Sequence, residues 1–397
     1  MMKQKIIIVL VSLIVTGGLS AQNTTNTPVS MYGVGELATS DGGKYAGLGM
    51  AGIALNRTGF MNTQNPACLT RMDTTCFFYD IGVTASVSTY RMWSERSTAA
   101  VGNPSRISLG VRVLPRWYAI VGVAPYSSVG YMIRSDQEVE GMEGDSVSSL
   151  FEGTGGLYRL YLANSFLIAK KWSLGFSIGM ISGTVEQTET QESALVTRKS
   201  DKSAFYADFG LHYMLNKNWS LGVVYGLSTQ LKQHNELTYE NSSTTDELET
   251  KLYTDKQYIP QRIGGGVTYE TKRWVLTGDY SWIQWSRNPS SVSSVKYINQ
   301  HRGNLGVVYV TSPRKPRSTE LIMGMSYSNS YIRLKQGKMY NIEFSAGVAF
   351  PLRETTLSLG GTWRRQMNTH NSLIQESRFS LNMNITFGER LSRGKIQ

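Results

Sequence analysis

Cysteine and histidine are nearly absent. Cys68 and Cys76 are the only thiols in 397 residues, and the four histidines, His212, His234, His301 and His370, are scattered. None of them falls at metal-ligand spacing, so no metal centre is expected. Charged residues make up only 17% of the chain, and helix formers do not cluster at helical spacing. After residue 21 no stretch of about 18 apolar residues occurs, which excludes a membrane-crossing helix. No Pro/Gly/Ser-rich linker divides the sequence, although its length alone would suggest two or three domains. The formal net charge of +11 raises the possibility of nucleic acid, but a basic balance speaks only to nonspecific attraction.

The first residues bear on the compartment. Lys3 and Lys5 precede an apolar run from Ile6 to Val15, and the segment up to Ala21 ends in small residues. This pattern predicts a secretory signal over residues 1–21, with no Cys at the cleavage point to carry a lipid anchor. Export removes nucleic acid as a partner. A membrane leaflet rich in anionic lipid and lipopolysaccharide matches the charge better.

What the chain does have is strict alternation. In Trp172-Ser-Leu-Gly-Phe-Ser-Ile-Gly-Met180 one face is Trp, Leu, Phe, Ile and Met, and the other is only Ser and Gly. Trp219 to Ser228 repeats the pattern with Val224 as its one exception, and Phe379 to Phe387 repeats it without error. Period two means strands with one apolar and one polar face. A soluble sandwich would also alternate. The strands, however, run roughly 10 to 15 residues, which suits a tilted bilayer crossing better than the usual five or six.

Short basic turns punctuate the pattern at Leu114–Arg116, Lys170–Lys171, Asn216–Asn218, Thr271–Arg273, Ser312–Ser318 and Pro351–Thr355, several with Trp just beyond them. Such a Trp suits an interfacial aromatic girdle. Six turns joining twelve strands, plus one strand at each end, predict an all-β, transmembrane antiparallel β-barrel of 14 strands. The first strand is expected over Cys76 to Met92 and the last over Ile374 to Gly388, giving a barrel over residues 76–388 and a basic periplasmic tail over 389–397. Longer loops between the strands carry acidic segments, Asp136–Asp145 and Glu236–Asp255. These read as solvated outer loops, or as holders of divalent cations that bridge lipopolysaccharide.

Residues 22–75 do not alternate. They are Gly-rich and modestly apolar, and a barrel of this strand number would otherwise leave an open lumen, so they are expected to form a hatch (plug). Gly47-Leu-Gly49-Met-Ala-Gly52-Ile-Ala-Leu55, followed by Asn65-Pro66-Ala67, resembles the N-terminal hatch of the FadL-type outer-membrane transporters of long-chain fatty acids and other hydrophobic compounds. Ala124-Pro125-Tyr126-Ser127-Ser128-Val-Gly130 fits the same resemblance, because a Pro inside a strand belongs at a bulge or edge. The resemblance implies an inward kink in the third strand, a lateral opening there, and a gate at Asn65 to Ala67. Cys68 and Cys76 close a loop joining hatch to barrel in an oxidising compartment, where a disulfide is expected.

Other motifs fail on context. Gly47-x-Gly49-x-x-Gly52 lacks the strand and helix a dinucleotide site needs, so no cofactor is expected. Gly175-Phe-Ser177-Ile-Gly179 lies mid-strand rather than on a strand-to-helix elbow. His212 is inward by parity in the next strand, but no third partner is indicated, and no catalytic role is expected. Arg159, Asp208, Asp279, Glu343 and Arg364 are also inward by parity and suit a polar lumen.

Two functions remain. One is passive uptake of a hydrophobic small molecule, with hatch gating and lateral exit near Pro125; this is the favoured expectation. The other is a non-transporting barrel subunit of an outer-membrane secretion or assembly complex, docking other outer-membrane or periplasmic proteins through its outer loops or basic tail. An enclosed apolar pocket would favour the first, and a filled lumen the second.

Overall fold

A computed structural model describes residues 25, 27–38, 43–72, 76–92, 95–138, 146–192, 194–241, 247–253, 256–290, 294–314, 317–335, 337–352, 355–368 and 374–390. The expected signal, His370, most of the acidic stretch before Ser146 and the tail beyond Arg390 lie outside these residues.

Strand β1 (Glu36–Leu37) belongs to the hatch. The wall begins with β2 (Cys76–Met92), β3 (Glu95–Leu114), β4 (Trp117–Glu138) and β5 (Ser146–Ala169). It continues with β6 (Trp172–Gln191) and β7 (Ala194–Met214). The next stave is broken into β8 (Trp219–Gly226) and β9 (Thr229–Asn241), and the one after it into β10 (Glu247–Tyr253), β11 (Gln257–Ile259) and β12 (Gln261–Glu270). Then come β13 (Trp274–Gln284), β15 (Gln300–Val310), β16 (Glu320–Asn329), β18 (Met339–Leu352), β19 (Thr355–Asn368) and β20 (Gln375–Arg390). Two loop segments, β14 (Val295–Tyr297) and β17 (Ile332–Leu334), pair with each other away from the wall.

Each stave pairs antiparallel with the next, and β2 pairs with β20 from Cys76↔Arg390 to Arg91↔Gln375. The sheet therefore closes on itself as fourteen staves, as the alternation predicts. The last strand runs to Arg390 rather than Gly388, because Phe77↔Glu389 and Cys76↔Arg390 extend the ladder. Pro351 and Thr355 are likewise strand residues, paired to Thr356 and Leu352, so that turn is tighter than expected.

Outward positions carry exposed Leu174, Leu221, Leu276, Leu305, Phe344 and Leu381, while inward Ser, Thr and Asn are buried. An apolar exterior over a polar interior is the inverse of a soluble sandwich and is the pattern of a membrane barrel. Among the described residues no helix is long and apolar enough to span a membrane, so the strands must cross. The Trp that follows four of the six basic turns has a repeated job. Trp117 stacks on Phe166 at 5.8 Å, Trp172 on Tyr213 at 4.2 Å, Trp219 meets Tyr269 at 4.7 Å and Trp274 meets Tyr309 at 4.6 Å. Each aromatic pair bridges neighbouring staves at the short-turn rim, the level of an interfacial girdle.

Candidate functional site: the hatch in the lumen and the seam beside β4

The hatch lies inside the barrel, on a band of glycines. A Cβ added at Gly175, Gly210, Gly222 or Gly324 would collide with hatch atoms of Pro66–Ala67, Asn65, Ile53–Ala54 or Leu48–Gly49 respectively. At Gly306 it would strike the Leu48 side chain. Only a missing side chain allows backbone to approach backbone this closely. Gly47 approaches Gly347 in the same way: its own added Cβ would come within 3.1 Å of that residue's N. Gly49 also holds a left-handed φ of +62°.

Polar groups on the wall then pin the hatch backbone. Asp279 accepts from Gly52 N and from Ile53 N, the latter at 2.9 Å. Ser345 Oγ accepts from Gly49 N at 3.0 Å and donates to Gly47 O at 2.7 Å. Asn65 Nδ2 donates to Ile53 O at 2.7 Å and reaches Leu211 O at 3.2 Å and Val223 O at 3.4 Å on two adjacent staves. Its Oδ1 accepts from Ala67 N at 3.0 Å, and Ser165 donates to Ala67 O at 3.0 Å. Every expected hatch residue is thus brought against the wall: Gly47, Gly49, Gly52, Asn65, Pro66 and Ala67.

Cys68 does not join Cys76 in a disulfide. The expectation of a bridge is corrected, because the 3-10 turn Pro66–Leu69 aims Cys68 Sγ at Ile53 O, 3.4 Å away within the hatch. Burial pushes that thiol well up from its usual range, and the Asp279 carboxylate nearby adds to the shift.

Apolar contacts add a second layer. Tyr45, Leu48, Ala51, Leu55 and Phe60 of the hatch form one buried cluster with Val275, Val308, Ile322 and Ala349 of the wall. Those four wall residues face inward although they are apolar, and sequence reasoning missed them. Their signal was present: Trp274-Val-Leu276 and Leu321-Ile-Met323 are apolar at both parities, as expected of a strand buried on both faces. Val224, the exception in its stripe, is fully buried on the same inner side.

Higher in the lumen the first part of the hatch follows β4. Glu36↔Ser128 and Leu37↔Ser127 pair antiparallel, Ala38 N donates to Tyr126 O at 3.0 Å, and Ser30 Oγ bonds both N and O of Gly130. All of these β4 partners fall within the expected kink segment. Glu36 is fixed from the far side by Arg364 and Arg378, each at 2.8 Å. Burial alone would raise this carboxyl, but the two guanidinium groups overcome it and hold its pKa at about 2.

β4 departs from its neighbours at this point. Its register with β5 slips between Pro125 and Ser127. Its pairing with β3 runs only from Leu114↔Trp117 to Ile107↔Val123, then stops. On β3 a second slip leaves Ser105 out of register with β2, next to Pro104. Had the ladder continued, Pro125 would have met Ser105, so two residues without N–H groups stand together where it ends. Pro104 is a feature the sequence displayed and the reading passed over. A cavity of about 110 Å3 occupies the parting, lined by Pro104, Pro125 and Leu37 and bordered by the outward-facing Tyr158.

Next to it, a cavity of about 170 Å3 is lined by Leu37, Tyr126, Ile181, Tyr206, Ile259 and Trp285, with Arg159, Asp208 and Arg262 at its polar side. A further inner space of about 70 Å3 lies by Glu36 and Glu343. Above them Trp285 and Tyr297 pack on Tyr331, at 4.4 and 6.3 Å, in a cluster that includes the loop strands β14 and β17. At the short-turn end a space of about 520 Å3 is lined by Lys44, Arg57, Arg71, Glu270 and Glu320; between it and the smaller cavities the hatch fills the described lumen.

Ser177 and His212 do not meet. Ser177 pairs across from Asp208 and its hydroxyl bonds Tyr206 at 3.1 Å, whereas His212 pairs with Ser173. Asp208 instead meets Arg262 at 3.4 Å. Among the described residues no group of three or more His, Cys, Asp or Glu is placed to hold a metal.

Solved structures share this fold at low identity. The chain resembles a FadL homologue from Pseudomonas aeruginosa (15% identity, 86% of this chain and 96% of that one, TM-score 0.59). It also resembles the toluene transporter TodX of Pseudomonas putida (13%, 91% and 100%, 0.61) and the monoaromatic hydrocarbon channel CymD (15%, 88% and 98%, 0.61). The FadL-type resemblance carried by the hatch and the third strand is thereby met at the level of the fold. No curated protein matches by sequence. The family model described as BamG matches residues 1–393, nearly the whole chain, and the protein belongs to the BamG family.

Proposed function

We propose that this barrel resides in the outer membrane as a non-transporting subunit of a protein secretion or assembly complex, acting by docking other proteins. The filled lumen carries the reading. A gate must leave its seat, yet the hatch backbone from Gly47 to Ala67 lies on glycines, is bonded to Asp279, Ser345 and Ser165, reaches Leu211 O and Val223 O through Asn65, and shares a core with the wall. Its loss would leave buried wall groups unsatisfied, at about 1–3 kcal/mol each. The inner cavities of about 70, 110 and 170 Å3 beside the first part of the hatch also fall below the roughly 300–1,000 Å3 of ordinary ligand pockets. A larger space of about 520 Å3 at the short-turn end is rimmed by the charged Lys44, Arg57, Arg71, Glu270 and Glu320. In this reading Asn65 to Ala67 form a seal, not a gate.

One observation favours the second reading, passive passage of a hydrophobic compound. The 170 Å3 cavity is partly apolar and borders Pro125 and Tyr126 beside the parting of β3 and β4. It is far too small for a long fatty acyl chain, but an apolar cavity of about 150 Å3 can take a single aromatic ring. The lateral exit, in this reading, lies at the parting.

Purification from native membranes in mild detergent, together with toluene uptake by liposomes holding the purified barrel, separates the two. Docking predicts a stoichiometric complex and uptake equal to that of empty liposomes. A protein that purifies alone and admits toluene would establish the second reading instead.

A further inference from the structure

The parting of β3 from β4 leaves two strand edges, and they are treated differently. The β4 edge is covered from Tyr126 to Gly130 by the hatch, through β1, Ala38 and Ser30. The β3 edge above Arg106 has ladder partners on its β2 side from Pro104 to Glu95 and, among the described residues, no strand on the other. Within hydrocarbon an open sheet edge is not tolerated, and above it an uncharged flat edge is a template for pairing.

The chemistry of the β3 edge invites a strand. Ser97-Thr-Ala-Ala-Val101 has no charge and no proline, and its side chains are small and largely solvent-exposed. None of the usual devices that blunt an edge (Lys, Pro, a bulge) occurs in that stretch. Below it, Pro104 and the slip at Ser105 keep β3 from closing onto β4. The hatch shows that the facing edge accepts a short extended segment. Only another backbone offers alternating donors and acceptors at strand spacing.

We infer that the β3 edge from Ser97 to Gly102 receives an extended segment of a partner protein as an added β-strand. This rests on the docking reading and names the form the partner takes: an extended peptide held mainly by main-chain hydrogen bonds, with small side chains facing Thr98 and Ala100.

The test uses the full chain in its native membrane, with photo-cross-linking residues placed singly at Thr98, Ala99 and Ala100. Strand addition predicts cross-links to one partner segment, stepping residue by residue in a fixed register. Proline variants give a second readout. Adjacent N–H groups on a strand point to opposite edges, so A99P and A100P differ. One removes a donor to β2 and the other a donor to the parting. Only the second should lower the recovered partner, by tenfold or more, while the barrel keeps its folded gel mobility. Cross-links scattered over several proteins, or running back to the chain's own hatch, overturn the inference. So does a stoichiometric complex that gives no cross-link from β3, although docking itself would then stand. Recovery of no complex at all would sink both.

Discussion

One side of the barrel is twice as tall as the other. β13, β15 and β16 have 11, 11 and 10 residues, the span of a bilayer crossing. β4, β5, β6 and β7 have 22, 24, 20 and 21. At about 3.3 Å per residue the surplus raises a wall roughly 30 Å beyond the membrane. The hatch is fastened to both sides: to the low one through Asp279, Ser345 and the glycines of β15, β16 and β18, and to the tall one through Ser165, Gly175, Gly210 and the β4 edge. The tall side carries polar residues on both faces above the lipid belt and adjoins the unpaired β3 edge. Projection is thus confined to one side of the ring while closure draws on both: the hatch, held all round, makes the barrel a stopper, and the tall side gives it a surface to present.

The comparison can be broken from either side. The largest effect is expected at the hatch footprint. Gly324→Val sets a branched side chain against the Leu48–Gly49 backbone, and overpacking of this kind costs about 1–3 kcal/mol or more. Limited proteolysis should then cut between residues 47 and 67 faster than in the parent. Gly265→Ala is the control: it faces lipid, its nearest new contact would be 3.9 Å away, and it should leave the digest unchanged. Next, replacing Glu186–Lys199 with an Asn-Gly turn shortens the tall β6–β7 hairpin and removes its ladders to β5 and β9 at that height, together with the Gln187 bond to Met31 O. The barrel should fold with normal heat-modifiable mobility while its complex partners are lost. Recovery of the complex would remove the tall wall from the docking surface.

Smaller effects sharpen the account. Asp279→Ala removes the acceptor for two hatch amides and should cost about 1.5–3 kcal/mol of hatch stability, read as faster proteolysis without loss of the barrel. Trp219→Ala breaks one girdle pair, worth about 0.5–1.5 kcal/mol beyond area, and should lower the unfolding midpoint slightly without touching the hatch. The smallest is a null with a sign. Because the Glu36 pKa is depressed to about 2, its ion pairs stabilise fully above the unfolded value of about 4.3 and fade only as pH falls toward 2. Glu36→Gln should therefore lower hatch protection by the same amount at pH 7 and at pH 5.

Much of the wall was legible because period two fixes which side chains face lipid, and because Trp after a basic turn marks one rim. Stave height was not. Thr184–Gln191 and Ala194–Ser203 were not separable from loops, since a ladder in water alternates polar with polar and leaves no hydrophobic trace. Glu236–Glu240 and Glu247–Tyr253 are paired strand for the same reason, where a loop was expected. The hatch glycines were visible as a motif, but their counterparts on the wall looked like generic inward small residues. Only register brings Gly210 under Asn65 and Gly324 under Gly49. The disulfide expectation failed because proximity in sequence says nothing about which way a 3-10 turn aims its thiol.

Hydrogen exchange of the membrane-embedded protein, with and without saturating toluene, reaches the central claim most directly. A fixed seal predicts that the amides of Gly49, Gly52, Ile53 and Ala67 exchange as slowly as those of β13 and β16, and that toluene changes nothing. Rapid exchange at these four positions, or exchange that quickens when toluene is added, would mean that the stopper moves and the barrel conducts.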